Sequence, residues 1–160
     1  MVGVLNSVHK QTAVRAAKEA GKVILAGFRK HHTLKSKGKT DVVTEVDKKS
    51  QDVIIKTIKK NFSNHSFLSE ESPKLEGKSD YLWVIDPLDG TANYSSGVPF
   101  FCTSICLAYK KQPILGVIFD PLHNEMFIAE KGRGAFLNNK KIQIQENKRE
   151  LEEPIYLLRC

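Results

Sequence analysis

Apolar or small residues recur at Leu5, Val8, Ala13, Ala16, Ala17, Ala20, Ile24 and Phe28, the three-and-four spacing of one helix face. The pattern predicts an amphipathic helix from Leu5 to about Phe28. Lys10, Arg15, Lys18, Lys22 and Arg29 fall on its opposite face, while Ala16, Ala17, Ala20 and Gly21 let another element approach closely. Packing accounts for this stripe without any function. Polar Lys35 to Thr40, with Gly38 inside it, reads as an exposed, mobile turn. Thr44-Glu45-Val46-Asp47 has capping-box form and opens a run with Ile54, Ile55, Ile58 and Phe62 on one face. A second helix is predicted from about Thr44.

Beyond Asn61 the pattern changes to short β-type runs: Ser66 to Ser69, Tyr81 to Ile85, Thr103 to Ala108, Ile114 to Phe119, Glu125 to Ala129 and Lys141 to Ile144. Asp120-Pro121-Leu122-His123 and Asn138-Asn139 have turn chemistry, so antiparallel hairpins are expected. Two amino-terminal helices packed on a mainly antiparallel sheet make an α+β fold.

Length and composition fit this picture, since 160 residues with 41% hydrophobic content suit one compact domain. No apolar run approaches the roughly 20 residues that cross a bilayer, so no membrane association is expected. His9, Lys10 and Arg15 interrupt the amino terminus, which argues against a secretory signal. Cys102 and Cys106 lie four apart in a predicted strand, roughly 13 Å at the strand rise, too far for a disulfide. The cysteines are read as buried thiols of a cytoplasmic protein, without function. The net charge of +7 is uneven, with 14 Lys/Arg against 5 Asp/Glu in residues 1–60. No aromatics interleave these lysines, so solvated helix faces are expected rather than a nucleic-acid partner.

The informative stretch is Trp83-Val84-Ile85-Asp86-Pro87-Leu88-Asp89-Gly90-Thr91-Ala92-Asn93-Tyr94. It starts as a buried strand; Asp86 is expected where the strand stops, Pro87 prevents its continuation, and Asp89 precedes a relaxing glycine. Two carboxylates could converge there with the Leu88 carbonyl, a hard oxygen set suited to Mg²⁺. Gly90 and Thr91 would offer N–H groups at a helix start, suited to phosphate. The same residues would also make an ordinary turn. Two further acidic segments, Asp41 to Asp47 and Ser69-Glu70-Glu71-Ser72, shift the balance toward a site.

These three segments, in this order, resemble the inositol monophosphatase family pattern D-x-V-T-x-x-D, G-E-E and W-[IV]-[IL]-D-P-[IL]-D-G-T-x-N-[FY]. The similarity continues through Gly116-Val117-Ile118, Glu125-Met126-Phe127 and Gly132-Arg133-Gly134-Ala135-Phe136. The resemblance implies the first half of an αβαβα layered sugar-phosphatase fold, with residues 1–150 as a metal-binding domain and 151–160 as the start of a second one. It implies Mg²⁺ held by Glu70, Asp86, Asp89 and the Leu88 carbonyl. Asp47 and Thr91 would position the attacking water, and Leu88, Asp89, Gly90 and Thr91 would meet the substrate phosphate. Asp47 could instead serve only as the capping-box acid, Glu71 as a solvated acid, and Lys35 and Lys37 as surface lysines.

The family's second half, with its W-D-x-A-[AG]-G motif, has no counterpart here, since Trp83 is the only tryptophan. The chain is therefore expected to be a truncated form, short of one metal-ligand charge and exposing an apolar sheet edge at Ile155-Tyr156-Leu157-Leu158. Ser69 stands where the family has glycine. The expected activity is Mg²⁺-dependent hydrolysis of a small sugar or polyol phosphate, myo-inositol monophosphate first, by a lithium-sensitive homodimer. A fructose-1,6-bisphosphatase and a nucleotide 3′-phosphatase of the same fold are the enzymatic alternatives, although Asn93 favours the inositol branch. A catalytically silent interaction protein is the alternative outside enzymology.

Overall fold

The computed structural model describes residues 5–30, 35–36, 42–43, 45–70 and 72–143. Asp41, Thr44, Glu71, Lys37 and the boundary after residue 150 lie outside the described residues, as does the Lys35 side chain. The first helix, α1, spans Ser7–Gly27 and the second, α2, spans Glu45–Lys59. The bounds of α1 agree with the 3.6-residue pattern to within two residues, and α2 starts one residue after Thr44 but ends three residues before Phe62.

The start of α1 is fixed by a reciprocal cap: Asn6 Oδ1 accepts from the His9 N–H at 3.0 Å, and His9 Nδ1 accepts from the Asn6 N–H at 3.2 Å. A histidine thus fills the position that glutamate or glutamine takes in the usual capping box. Its ring stacks on Phe62 with centroids 4.4 Å apart, while His65 stacks on Tyr81 at 4.5 Å. His65 Nδ1 accepts from the Trp83 indole N–H at 3.0 Å. Burial depresses both imidazoles, His65 to about 4.

Lys35–Ser36 (β1) pairs antiparallel with Val42–Val43 (β2), so a short hairpin starts where a mobile turn is expected from sequence. The main sheet has eight strands: β3 Ser66–Ser69, β4 Ser72–Leu75, β5 Tyr81–Asp89, β6 Cys102–Tyr109, β7 Gln112–Asp120, β8 Glu125–Glu130, β9 Gly134–Leu137 and β10 Lys140–Ile142. Their order is β10-β9-β8-β7-β6-β5-β3-β4, and every neighbouring pair is antiparallel except β3 with β5. A five-residue helix, α3, spans Thr91–Ser95 between β5 and β6. Asn138 and Asn139 both take positive φ at the β9–β10 turn, as a two-residue hairpin loop requires. Strands β4 and β9 have no counterpart in the sequence reading, because Ser-Pro-Lys-Leu and Gly-Ala-Phe-Leu are too short to show a period.

Strand register sorts the two faces. Phe67, Trp83, Leu107 and Leu115 form one cross-strand row and Ile85, Ile105, Val117 and Ile128 another, all buried beneath the alanine stripe of α1 and Ile54 and Ile58 of α2. The intervening row, Leu68, Val84, Cys106, Gly116, Ala129, Ala135 and Ile142, lies on the other face. Leu68, Val84 and Ile142 are exposed there. This face thus carries part of the exposed apolar surface, while the apolar edge expected from sequence at Ile155-Tyr156-Leu157-Leu158 lies outside the described residues. Among the described residues the edges are β4, with Pro73 and Lys74, and β10, with Lys140 and Lys141, residue types that discourage strand addition.

Two corrections concern β5. The strand does not stop at Asp86: it runs to Asp89, with a register shift against β6 between Asp86 and Asp89. Pro87 is tolerated because it sits in that irregularity, where no ladder N–H is required, and its carbonyl accepts from the buried Thr103 hydroxyl at 3.1 Å.

Gly77 offers a check on packing. A Cβ there would lie 2.3 Å from the Asn64 carbonyl oxygen and 2.4 Å from the His65 carbonyl carbon. Backbone cannot swing aside as a side chain can, so Gly77→Ala is expected to destabilise the chain by about 1–3 kcal/mol, read as a lower urea midpoint.

Candidate metal and phosphate site

Parallel pairing creates the site. Because Ser69 stands opposite Ile85 in parallel register, the residues that follow, Glu70 and Asp86, emerge side by side at the same end of the sheet. The register shift then separates Asp86 from Asp89: Pro87 and Leu88 are both buried, while Asp89 is exposed. Asp86 accepts from the Leu88 N–H at 3.2 Å, which folds the bulge onto its own carboxylate.

Gly90 closes the turn with φ of 85°, a left-handed conformation that disfavours side chains. A Cβ there would also lie 2.8 Å from the Phe100 carbonyl oxygen. The chain then enters α3, as expected, so the amides of its first turn have no partner inside the helix. The Thr91 hydroxyl lies 2.9 Å from Asp47 Oδ1 and 2.9 Å from the Leu88 carbonyl oxygen. It has one proton, so it donates to one of them at a time. This contact brings the first turn of α2 to the end of β5.

A small apolar cluster of Ile24, Val46, Leu88, Tyr94 and Phe101 lies beneath these groups. Val46 precedes Asp47 and Leu88 precedes Asp89, so backbones carrying polar groups are anchored by adjacent buried side chains. The Tyr94 hydroxyl donates to the Ile24 carbonyl at 2.8 Å and its ring meets Phe101 edge-on at 5.0 Å.

The electrostatics record the crowding of like charge. Burial, then the neighbouring Glu70 and Asp89, push the Asp86 carboxyl up to about 7; the Leu88 N–H opposes the shift and Asp47 adds to it. Three of the sequence-selected acids thus act on the fourth, Asp86. Among the described residues no three acidic side chains close into a ligand cluster, so the acids stand as neighbours within electrostatic reach. The donor set, carboxylates plus the Leu88 carbonyl, fits a hard divalent cation.

Cys102 escaped the sequence reading. It pairs with Asp89 across β5 and β6, and its thiol donates to Asp89 Oδ2 at 3.7 Å. Burial, then the charges of Asp89 and Asp86, push that thiol up to about 12, so it stays protonated. Only the register across the bulge reveals the contact, and four-residue spacing within one strand carries no trace of it. Among the described residues, Ser50 Oγ, Gln51 Oε1 and Ser69 Oγ are buried without a hydrogen-bond partner. Ser69 occupies the position that is glycine in the family pattern.

Two tests follow from this chemistry. The folded value of Asp86 lies above its ordinary 3.8, so the native chain holds that proton more tightly than the unfolded chain. The corresponding stability is complete below about pH 4 and lost as pH rises through about 7. His65, depressed from 6.5 to about 4, acts oppositely over an overlapping range. The Tm of the metal-free chain minus that of Asp86→Asn should therefore fall between pH 4 and 7 and stay level above it. Ser69→Ala removes an unpartnered buried hydroxyl and should raise unfolding free energy by about 1 kcal/mol in urea titrations.

Comparison with known proteins agrees with this geometry. The sequence profile of the Inositol monophosphatase family matches residues 6–158. A protein of Pasteurella multocida named Nus factor SuhB is 45% identical over 142 residues, covering 87% of this chain and 53% of the relative. Inositol monophosphatase 2 of Solanum lycopersicum is 43% identical over 137 residues, covering 82% and 52%. The crystal structure of extragenic suppressor protein SuhB from Bartonella henselae superposes with a TM-score of 0.87 at 34% identity, covering 89% of this chain and 57% of that one. The chain spans about half the length of the curated relatives it matches. With helices on a mixed sheet, acids gathered at the end of β5 and a profile match over nearly its whole length, the chain belongs to the inositol monophosphatase family.

Proposed function

We propose that this chain provides the metal- and phosphate-binding half of a Mg²⁺-dependent phosphomonoesterase acting on myo-inositol monophosphate. The observation that carries this reading is the convergence of Glu70, Asp89 and Asp47 on Asp86, beside a Thr91 hydroxyl 2.9 Å from Asp47. Glu70, Asp86, Asp89 and the Leu88 carbonyl would hold the cation. When bound, Mg²⁺ supplies Lewis-acid activation and charge neutralisation for in-line displacement at phosphorus. Thr91, donating to Asp47, leaves its oxygen lone pairs to accept from a water, which orients that water toward phosphorus, and Asp47 provides the sink for its proton. The Gly90 and Thr91 amides would hold phosphate oxygens.

Inositol-1-phosphate, fructose-1,6-bisphosphate and adenosine 3′,5′-bisphosphate are the substrates that separate the three phosphatase readings. A homodimer is part of the proposal: Val98 and Phe100, 45% and 64% exposed, form an apolar patch on the loop leading from α3 to β6. A reducing cytoplasm suits the free thiols Cys102 and Cys106. The 160-residue chain should bind Mg²⁺ more weakly than one continued to the relatives' length, and turn over little, because Asp86, Asp89 and Glu70 supply only three negative charges.

The name of the 45% identical relative favours a second reading, a Nus-factor role independent of turnover. A cell in which the Asp89→Asn chain, without phosphatase activity, replaces the wild type separates the two. For the phosphatase, Asp89→Asn removes a ligand charge at nearly constant volume. Its kcat in a chain of the relatives' full length should fall more than tenfold, a barrier increase above about 1.4 kcal/mol. Phosphate release from inositol-1-phosphate at saturating Mg²⁺ measures this, and retention of more than a tenth of the rate would remove Asp89 from the ligand set.

A further inference from the structure

A second recess, made of residues other than the acidic ones, lies between the amino-terminal half of α1 and the β8–β9 and β9–β10 turns. Its volume is about 490 Å³, within the usual range for small-molecule sites. Val14, Met126 and Ile128 give it an apolar floor, and Lys10, Lys18 and Arg133 line it as well.

Glu130 is the only acid among the lining residues. Its side chain is 5% exposed and bridges two cations: Oε1 meets Lys10 Nζ at 2.8 Å, and Oε2 meets an Arg133 guanidinium nitrogen, NH1, at 3.3 Å. Lys10 Nζ is further located 5.5 Å from the centre of the Phe136 ring. One buried carboxylate therefore fixes two cations at neighbouring points without exhausting them. Lys10 retains two further N–H donors and Arg133 four. Counting Lys18, the lining carries two positive charges in excess. Ser7, the first residue of α1, also lines the recess, and the first turn of this 21-residue helix carries no acidic side chain to neutralise its positive end.

Cations with spare donors beside a helix start without acidic side chains and an apolar floor match one kind of ligand. We propose that this recess binds a small organic anion, a phosphate or carboxylate on an apolar ring or short aliphatic body, independently of the carboxylate site. The anionic group meets Lys10, Lys18 and Arg133, and the apolar body lies against Met126 and Ile128. Glu130 is a positioning residue: its buried carboxylate tethers Lys10 and Arg133 at neighbouring points of the lining, which lowers the side-chain freedom that remains to be lost on binding.

Nitrogen-15 amide spectra of the whole chain in EDTA, titrated with phenyl phosphate and separately with benzoate, test the proposal. Saturable shifts are expected at Ser7, Gln11 and Asn138, weakening at least tenfold in the Lys18→Gln, Arg133→Gln double variant, which leaves Lys10 paired with Glu130. Benzyl alcohol, which lacks the charge, should bind at least tenfold more weakly. Raising NaCl from about 50 to 500 mM should weaken the wild-type interaction, which keeps the test valid if the double variant fails to fold. The proposal is overturned if shifts are confined to residues 86–92, if the double variant binds equally well, or if benzyl alcohol matches phenyl phosphate. Stronger binding of phenyl phosphate or of benzoate identifies the preferred oxyanion.

Discussion

The candidate site depends on one strand pairing. Seven pairs of strands in the main sheet are hydrogen-bonded neighbours, and only β3 with β5 is parallel. An antiparallel partner would place the end of β3 beside the start of β5, leaving Glu70 near Tyr81 rather than near Asp86. Parallel register puts both carboxyl ends at the same edge of the layer, with Ser69 opposite Ile85. The bulge after Asp86 adds Asp89, and α2 contributes Asp47 through Thr91. Four acids separated by as many as 42 positions in the chain are thereby brought into one field.

Such crowding opposes folding, since carboxylates with like charge repel and burial penalises the charged form of Asp86. The surrounding structure compensates through apolar contacts placed directly behind the acids. Val46, Leu88, Tyr94 and Phe101 are nearly inaccessible, and two of them adjoin the acids in sequence. Burying a side chain of this size contributes about 1.5–3 kcal/mol. Packing thus holds the carboxylates closer than their mutual electrostatics favour, and the Asp86 carboxyl answers by holding its proton more tightly.

Much of the fold and of the site is legible in the sequence, for identifiable reasons. Both long helices follow from residues such as Ala13, Ala17, Ala20 and Ile24 recurring with helical period, and the hairpins from Asp120-Pro121 and Asn138-Asn139. Asp86, Asp89, Gly90 and Thr91 are legible because a Pro and a Gly break a strongly apolar run. What escaped depends on pairing rather than on local pattern. Pro87 reads as a terminator, yet it survives within β5 because a bulge waives its missing N–H. Cys102 meets Asp89 only through inter-strand register, and β4 contributes an edge from four residues with no detectable period. Glu130 and Arg133 meet Lys10 only through the packing of α1 on the sheet, so their pairing leaves no local pattern in the sequence.

Tyr94 has a consequence for how the molecule moves. Its hydroxyl and the Phe28 N–H share the Ile24 carbonyl, at 2.8 and 3.0 Å, at the last turn of α1. Helix ends fray readily, and local opening generally proceeds in cooperative blocks. Here the fraying end is tied by a side chain to the helix that follows Gly90, so opening either one exposes the Tyr94 ring and frees the other. The slowest-opening part of the first helix need not be its middle: its carboxyl-terminal turn shares the Tyr94 anchor with the short helix after Gly90, and each lends the other its resistance to opening.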